Sequence, residues 1–113
     1  MSGATGHFAR DPQFSETTDS LGRVLTVKPP HALDQLRLFK AVGPVLAQNQ
    51  PYLGMAMVAW SVVAIDGVPI PQPSNEQQVE SLVTRLGDEG MRAAGAMLEP
   101  EPGHAEMQAL AGN

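Results

Sequence analysis

Residues 61–74, SVVAIDGVPIPQPS, constrain the fold of this chain more than any other stretch. A β-branched apolar run stops at Asp66-Gly67 and restarts as Val68-Pro69-Ile70. Asp-Gly between β-formers predicts a two-residue hairpin, because a type I′ turn needs φ > 0 at both central residues. Pro71 and Pro73 punctuate the loop that follows. Ser74-Asn75-Glu76-Gln77 then reads as a capping box of the S-x-x-Q type, which predicts a helix from about Asn75.

The segments on either side fit a small domain of mixed structure. Arg23 to Lys28, RVLTVK, alternates and is β-branched, so it predicts a short strand after the turn residue Gly22. Pro29-Pro30 ends it, and a helix is expected from about Pro30 to Val42 with Leu36 and Phe39 facing inward. Gly43 is placed to end that helix in a left-handed conformation, and Pro44 cannot continue it. Asn49 is a good N-cap for the next helix, with Pro51 in its first turn. That segment, PYLGMAMVAWSVVAI, is apolar almost all round, which implies burial on more than one side. Gly54 inside it costs about 1 kcal/mol relative to Ala, which a close approach of a neighbour or partner would offset. Near Val62 the pattern turns β-like, and helix and strand both remain open there. The helix from Asn75 carries Val79, Leu82, Val83 and Leu86 as one apolar stripe and stops at Gly87. A further helix, Glu89 to Leu98, begins after Asp88 with Met91, Ala94, Met97 and Leu98 inward.

The expected fold is therefore α+β and mainly α. A short N-terminal strand pairs with or lies near the hairpin at Asp66-Gly67, and three to four helices cover it. Residues 21–98 form one globular domain. Residues 1–20, poor in large apolar side chains, read as a flexible arm, and 99–113 as an acidic tail broken by Pro and Gly.

Composition narrows the function. The chain has 113 residues and no cysteine, which excludes disulfides and thiolate metal sites. Its longest apolar stretch, Leu53 to Ile65, has about 13 residues, short of the ~20 a membrane span requires, and no signal peptide is visible. A soluble cytoplasmic protein is expected. Net charge is −5. It is concentrated beyond residue 75, where Glu76, Glu80, Asp88, Glu89, Glu99, Glu101 and Glu106 oppose Arg85 and Arg92. With seven Lys and Arg in all and no cluster of them, nucleic-acid binding is not expected.

No constellation supports catalysis. His7, His31 and His104 lie far apart in sequence, so no metal or other cofactor is expected. Ser61, Ser74 and Ser81 have no His and acid beside them, as a nucleophile would need. Gly87-Asp88-Glu89-Gly90 lacks the lysine of a phosphate loop. The methionines carry more weight. Met55, Met57, Met91 and Met97 fall in helical segments, where Met either fills core or lines an adaptable surface for apolar helices. Tyr52 and Trp60, eight residues apart, lie near one face of a continuous helix and are residue types that anchor interfaces. The residues alone leave core and docking surface open.

The order of motifs resembles a known family. A strand with GRVLTV, a helix with LRLFKAVGP, the segment NQPYLGMA, then AIDGVPIPQPS and VESLVTRLGDEG look like the tail assembly chaperones of long-tailed bacteriophages and prophages. The resemblance spans roughly residues 22–98. It implies a non-enzymatic, mostly helical protein of the host cytoplasm that coats the apolar, helical tape measure protein before the tail tube forms. The tube protein is a possible second partner, and self-association is plausible. Many such chaperones are made in two lengths by translational frameshifting. The residues singled out for client contact are Met55, Met57, Trp60, Leu82 and Met91. The rival expectations are a structural virion protein, such as a tail completion or connector subunit, and a small bacterial adaptor domain.

Overall fold

The Asp66-Gly67 turn is present in the computed structural model of this chain, which describes residues 13–98. Asp66 has φ 51° and Gly67 φ 79°, the two positive values of a type I′ turn. The turn joins β3 (Val62–Ile65) to β4 (Val68–Pro69). Asp66 also ties the hairpin to the neighbouring strand, since its Oδ1 accepts the Val24 N–H at 2.8 Å and its own N–H donates to the Val24 carbonyl at 2.7 Å.

The sheet has four antiparallel strands in the order β1-β2-β3-β4, with β1 at Ser15–Thr18 and β2 at Val24–Val27. β2 pairs with β3 through Leu25↔Ile65, Thr26↔Ala64 and Val27↔Val62, with a register shift between Thr26 and Val27. The expected strand and its pairing with the hairpin are both present. β1 is a correction: the arm expected over residues 1–20 gives way at 15–18 to a strand paired from Ser15↔Val27 to Thr18↔Val24. Residues 1–12 and the tail 99–113 lie outside the described residues.

Three helices complete the domain: α1 (Ala32–Leu46), α2 (Gln50–Ser61) and α3 (Glu76–Leu98). The domain is α+β and mainly helical, 58% helix against 16% strand. α1 and α2 lie between β2 and β3 in the chain. α1 breaks where the glycine demanded it. Gly43 takes the positive φ expected of it, 87°, with ψ at 169° beyond the left-handed helical region, and Pro44 opens a last short turn. The inward face of α1 differs from the expected one. Asp34, Leu38 and Val42 are buried, while Leu36 is 63% exposed and Phe39 lies at the surface. Both stripes follow helical spacing, and contact with α2 selects the one carrying Leu38 and Val42.

α2 starts as expected, with Asn49 Oδ1 accepting the Tyr52 N–H at 3.0 Å. The helix ends at Ser61 and β3 begins at once, which resolves the ambiguity at Val62. Burial on two sides is also observed. Ala59 and Val62 join Leu25, Val27, Ile65, Leu82, Leu86 and Ala94 in one cluster against the sheet. Leu53, Ala56 and Trp60 join Leu38, Val42 and Val79 in a second, beneath α1. No neighbour lies within 4 Å of a Cβ built at Gly54, so the close approach that would offset this glycine does not come from within the domain.

α3 is capped one residue later than expected. Asn75, not Ser74, accepts the Gln78 N–H at 2.8 Å, and the Gln78 side chain reaches back to the Ser74 N–H, also at 2.8 Å. Asn75 and Gln78 keep the spacing of a capping box, and a side-chain amide caps as well as a hydroxyl. The stripe Val79, Leu82, Leu86 is buried and Val83 half-buried. Gly87, at φ 65° and ψ −176°, breaks the helix where expected. Beyond it Ala94 is buried and Met91 and Leu98 pack on the first cluster, whereas Met97, expected inward, is exposed.

Candidate partner-binding groove

α2 and α3 pack side by side and leave a shallow groove of about 200 Å³ between them. Ala56 and Val79, both buried, form its floor. Met55 and Val83 form its walls. Thr84 contributes little polarity, because its hydroxyl donates to the Glu80 carbonyl at 2.9 Å and leaves the methyl group outward. The groove exists because Ala56 is small where α2 faces α3, and because Met55, one residue earlier, stays 55% exposed.

One end of the groove is polar. The Tyr52 hydroxyl donates to Glu80 Oε2 at 3.0 Å, pinning the ring across the two helices. Burial of the phenol, the hydrogen bond to Glu80 and the charges of Glu80 and Glu76 push its pKa from 10.0 up to about 12. All of these oppose the phenolate, so Tyr52 is a neutral donor at physiological pH.

The five residues singled out in the sequence do not share one site. Met55 lines this groove. Met57 and Trp60 belong to the cluster beneath α1, with Trp60 only 7% exposed. Leu82, 6% exposed, and Met91 belong to the cluster against the sheet. Sequence reasoning missed Glu80, Val83 and Thr84 as groove residues. Their signal was available in part, since Val79, Val83 and Glu80, Thr84 recur at four-residue spacing along one side of α3.

Two of the serines weighed as nucleophiles are engaged locally. Ser61 Oγ donates to the Val58 carbonyl at 2.6 Å, and Ser74 Oγ donates to Gln78 Oε1 at 3.0 Å. Among the described residues no three His, Asp or Glu converge as metal ligands, and no helix is long and apolar enough to cross a membrane. Comparison of the chain with protein-family models, curated proteins and solved structures finds no match.

Proposed function

We propose that this protein is a non-enzymatic tail assembly chaperone of a bacteriophage or prophage, acting in the host cytoplasm on the tape measure protein. The reading starts from the motif order, GRVLTV through RLGDEG, and is carried by one structural observation: an apolar groove between α2 and α3 with an exposed methionine on its wall. A chaperone for a long helical client must hold many weakly related apolar side chains. Methionine is unbranched and polarizable, and adapts to such variety at small cost. Ala56 and Val79 give the bound side chain a fixed floor, and Met55 supplies the adjustable wall. Gly54 adds open space beside Met55 into which a client backbone fits.

Affinity capture of the tagged chain from cells expressing its native phage genes tests the proposal. The tape measure protein is expected as the main partner, and Met55→Asp is expected to lose it while the fold persists. Recovery of connector or completion subunits, together with stoichiometric presence of the chain in purified particles, would replace the chaperone with a structural virion role.

A further inference from the structure

A second surface lies where α1 meets the loop before α3. Leu33, Leu36, Arg37 and Lys40 follow the i, i+3, i+4, i+7 spacing of one helical face, and all four are exposed. The N-terminal half of this stripe is apolar and the C-terminal half is cationic. Arg37 and Lys40 overhang a depression of about 340 Å³ that Trp60, Gln72 and Ser74 also line. Among the described residues, no acidic one lines it. The single ion pair among the described residues joins Arg23 to Asp19, so neither Arg37 nor Lys40 has a carboxylate partner among them. The one acid on α1, Asp34, is turned inward and accepts the His31 N–H at 2.8 Å.

Trp60 lies in the wall of the depression. Trp60 Nε1 is buried and has no acceptor, a state that folded proteins seldom tolerate. Arg37 and Lys40, without a carboxylate partner among the described residues, stand with the Gln72 side chain around one opening and suit a carboxylate oxygen. Leu33 and Leu36 beside it suit apolar side chains one or two helical turns along the same ligand. Exposed ion pairs alone contribute little, so a lone carboxylate is held weakly here and a segment that also covers the leucines far better.

We propose that the outer face of α1, with the depression beneath Arg37 and Lys40, is a docking surface for an acidic amphipathic segment of a partner protein. Charge complementarity selects this occupant. In a chain of net charge −5, this face carries the opposite sign, with bases that have no carboxylate partner among the described residues next to exposed apolar side chains. The surface is separate from the α2–α3 groove, so it stands whatever that groove binds.

The chain has one tryptophan, so its indole N–H gives a single nuclear magnetic resonance signal, from a ring in the wall of this depression. Three probes are titrated: a helical peptide with Leu and Glu on one face, its twin with Lys in place of every Glu, and inorganic phosphate. The Glu peptide is expected to move the indole signal, and the Lys twin and phosphate to leave it in place. The double substitution Arg37→Glu, Lys40→Glu is expected to weaken the peptide by about tenfold or more. The milder pair Arg37→Gln, Lys40→Gln guards against a variant that fails to fold. Equal binding of the Lys twin, an unchanged affinity in folded charge variants, or a response to phosphate matching that to the peptide overturns the proposal. So does concentration-dependent self-association that the charge variants abolish, which makes this face a contact between copies of the chain.

Discussion

Asp19 and Arg23 hold the two halves of the molecule together through one guanidinium. Asp19, 5% exposed, accepts the Leu21 and Arg23 N–H groups on Oδ1, each at 3.0 Å, and Arg23 Nε on Oδ2 at 2.7 Å. Arg23 then donates from Nη1 to the Arg85 carbonyl at 3.0 Å and from Nη2 to the Leu86 carbonyl at 2.7 Å, the last carbonyls before the break at Gly87. Burial alone raises the Asp19 pKa, but the Arg23 amide, its guanidinium and the Leu21 amide together outweigh it and hold the carboxyl below its ordinary value. The folded state therefore binds this proton more weakly than the unfolded one. Its contribution to stability is complete above the ordinary carboxylate range and is lost as pH falls through that range and below. Asp19→Asn is expected to lower stability at neutral pH and to flatten the acid limb of a stability–pH curve measured by urea unfolding. Arg23→Ala, which uncaps the helix carbonyls, is expected to cost about 2 kcal/mol. Nothing local in the sequence signals this clamp, because its partners are 62 and 63 residues apart. Tyr52 is tested at the other end of the pH scale. Its neutral form is favoured by folding, so its contribution holds below pH 10.0 and is lost as pH rises toward about 12. Glu80→Gln is expected to move the phenol back toward 10.0, read by ultraviolet titration of the chain's one tyrosine.

Elements were legible in the sequence where backbone chirality decides and obscure where a distant partner decides. The breaks at Gly43 and Gly87 and the Asp66-Gly67 turn depend on φ values of 87°, 65°, 51° and 79°, which only a few residue types adopt at low cost. The inward face of α1 is a tertiary matter. Leu33, Leu36, Leu38, Phe39 and Val42 supply two overlapping stripes, and α2 buries the one ending in Leu38 and Val42. β1 escaped notice because SETT has no large apolar side chain and both its faces are largely open. Its signal lay in the turn instead, where Asp19 and Gly22 close a hydrogen bond of 3.0 Å from the glycine N–H to the aspartate carbonyl. The glycines now separate by element. Gly54→Ala meets empty space in a helix interior and is expected to stabilise by about 1 kcal/mol in a thermal melt. Gly90→Ala places a Cβ 3.0 Å from Leu86 Cβ and 3.2 Å from Arg23 Nη2, so it is expected to destabilise and to loosen the Arg23 clamp. Should Gly54→Ala stabilise the free protein yet weaken client capture, the open space beside Met55 is where the client backbone approaches.

At the scale of the whole molecule, α2 is the centre: one flank belongs to the cluster on the sheet, the other to the cluster beneath α1, and Met55 is left at the surface between helices. This explains why an apolar pattern alone could not sort docking residues from core. From Leu53 to Trp60 α2 carries no polar side chain but the indole, and only the placement of α1, α3 and the sheet assigns each position. It also makes the two roles separable by substitution. Leu82 sits at 6% exposure among Leu25, Ile65 and Leu86, so a carboxylate there would be buried without a partner. Large-to-small changes at such sites already cost 2–5 kcal/mol, roughly, against a total of about 5–15 kcal/mol for a domain. Leu82→Asp is therefore expected to abolish the cooperative melt seen by circular dichroism. Met55→Asp places its charge in water and loses little burial, so the melt is expected to stay close to that of the parent while client capture falls. Met57→Asp and Met91→Asp fall between, half-buried, and are expected to lower the melting temperature without abolishing the transition. The informative comparison is capture by Met55→Asp at a temperature where it and the parent are both fully folded. Undiminished capture there rules out the α2–α3 groove as the client site, because Met55 lines that groove and is exposed.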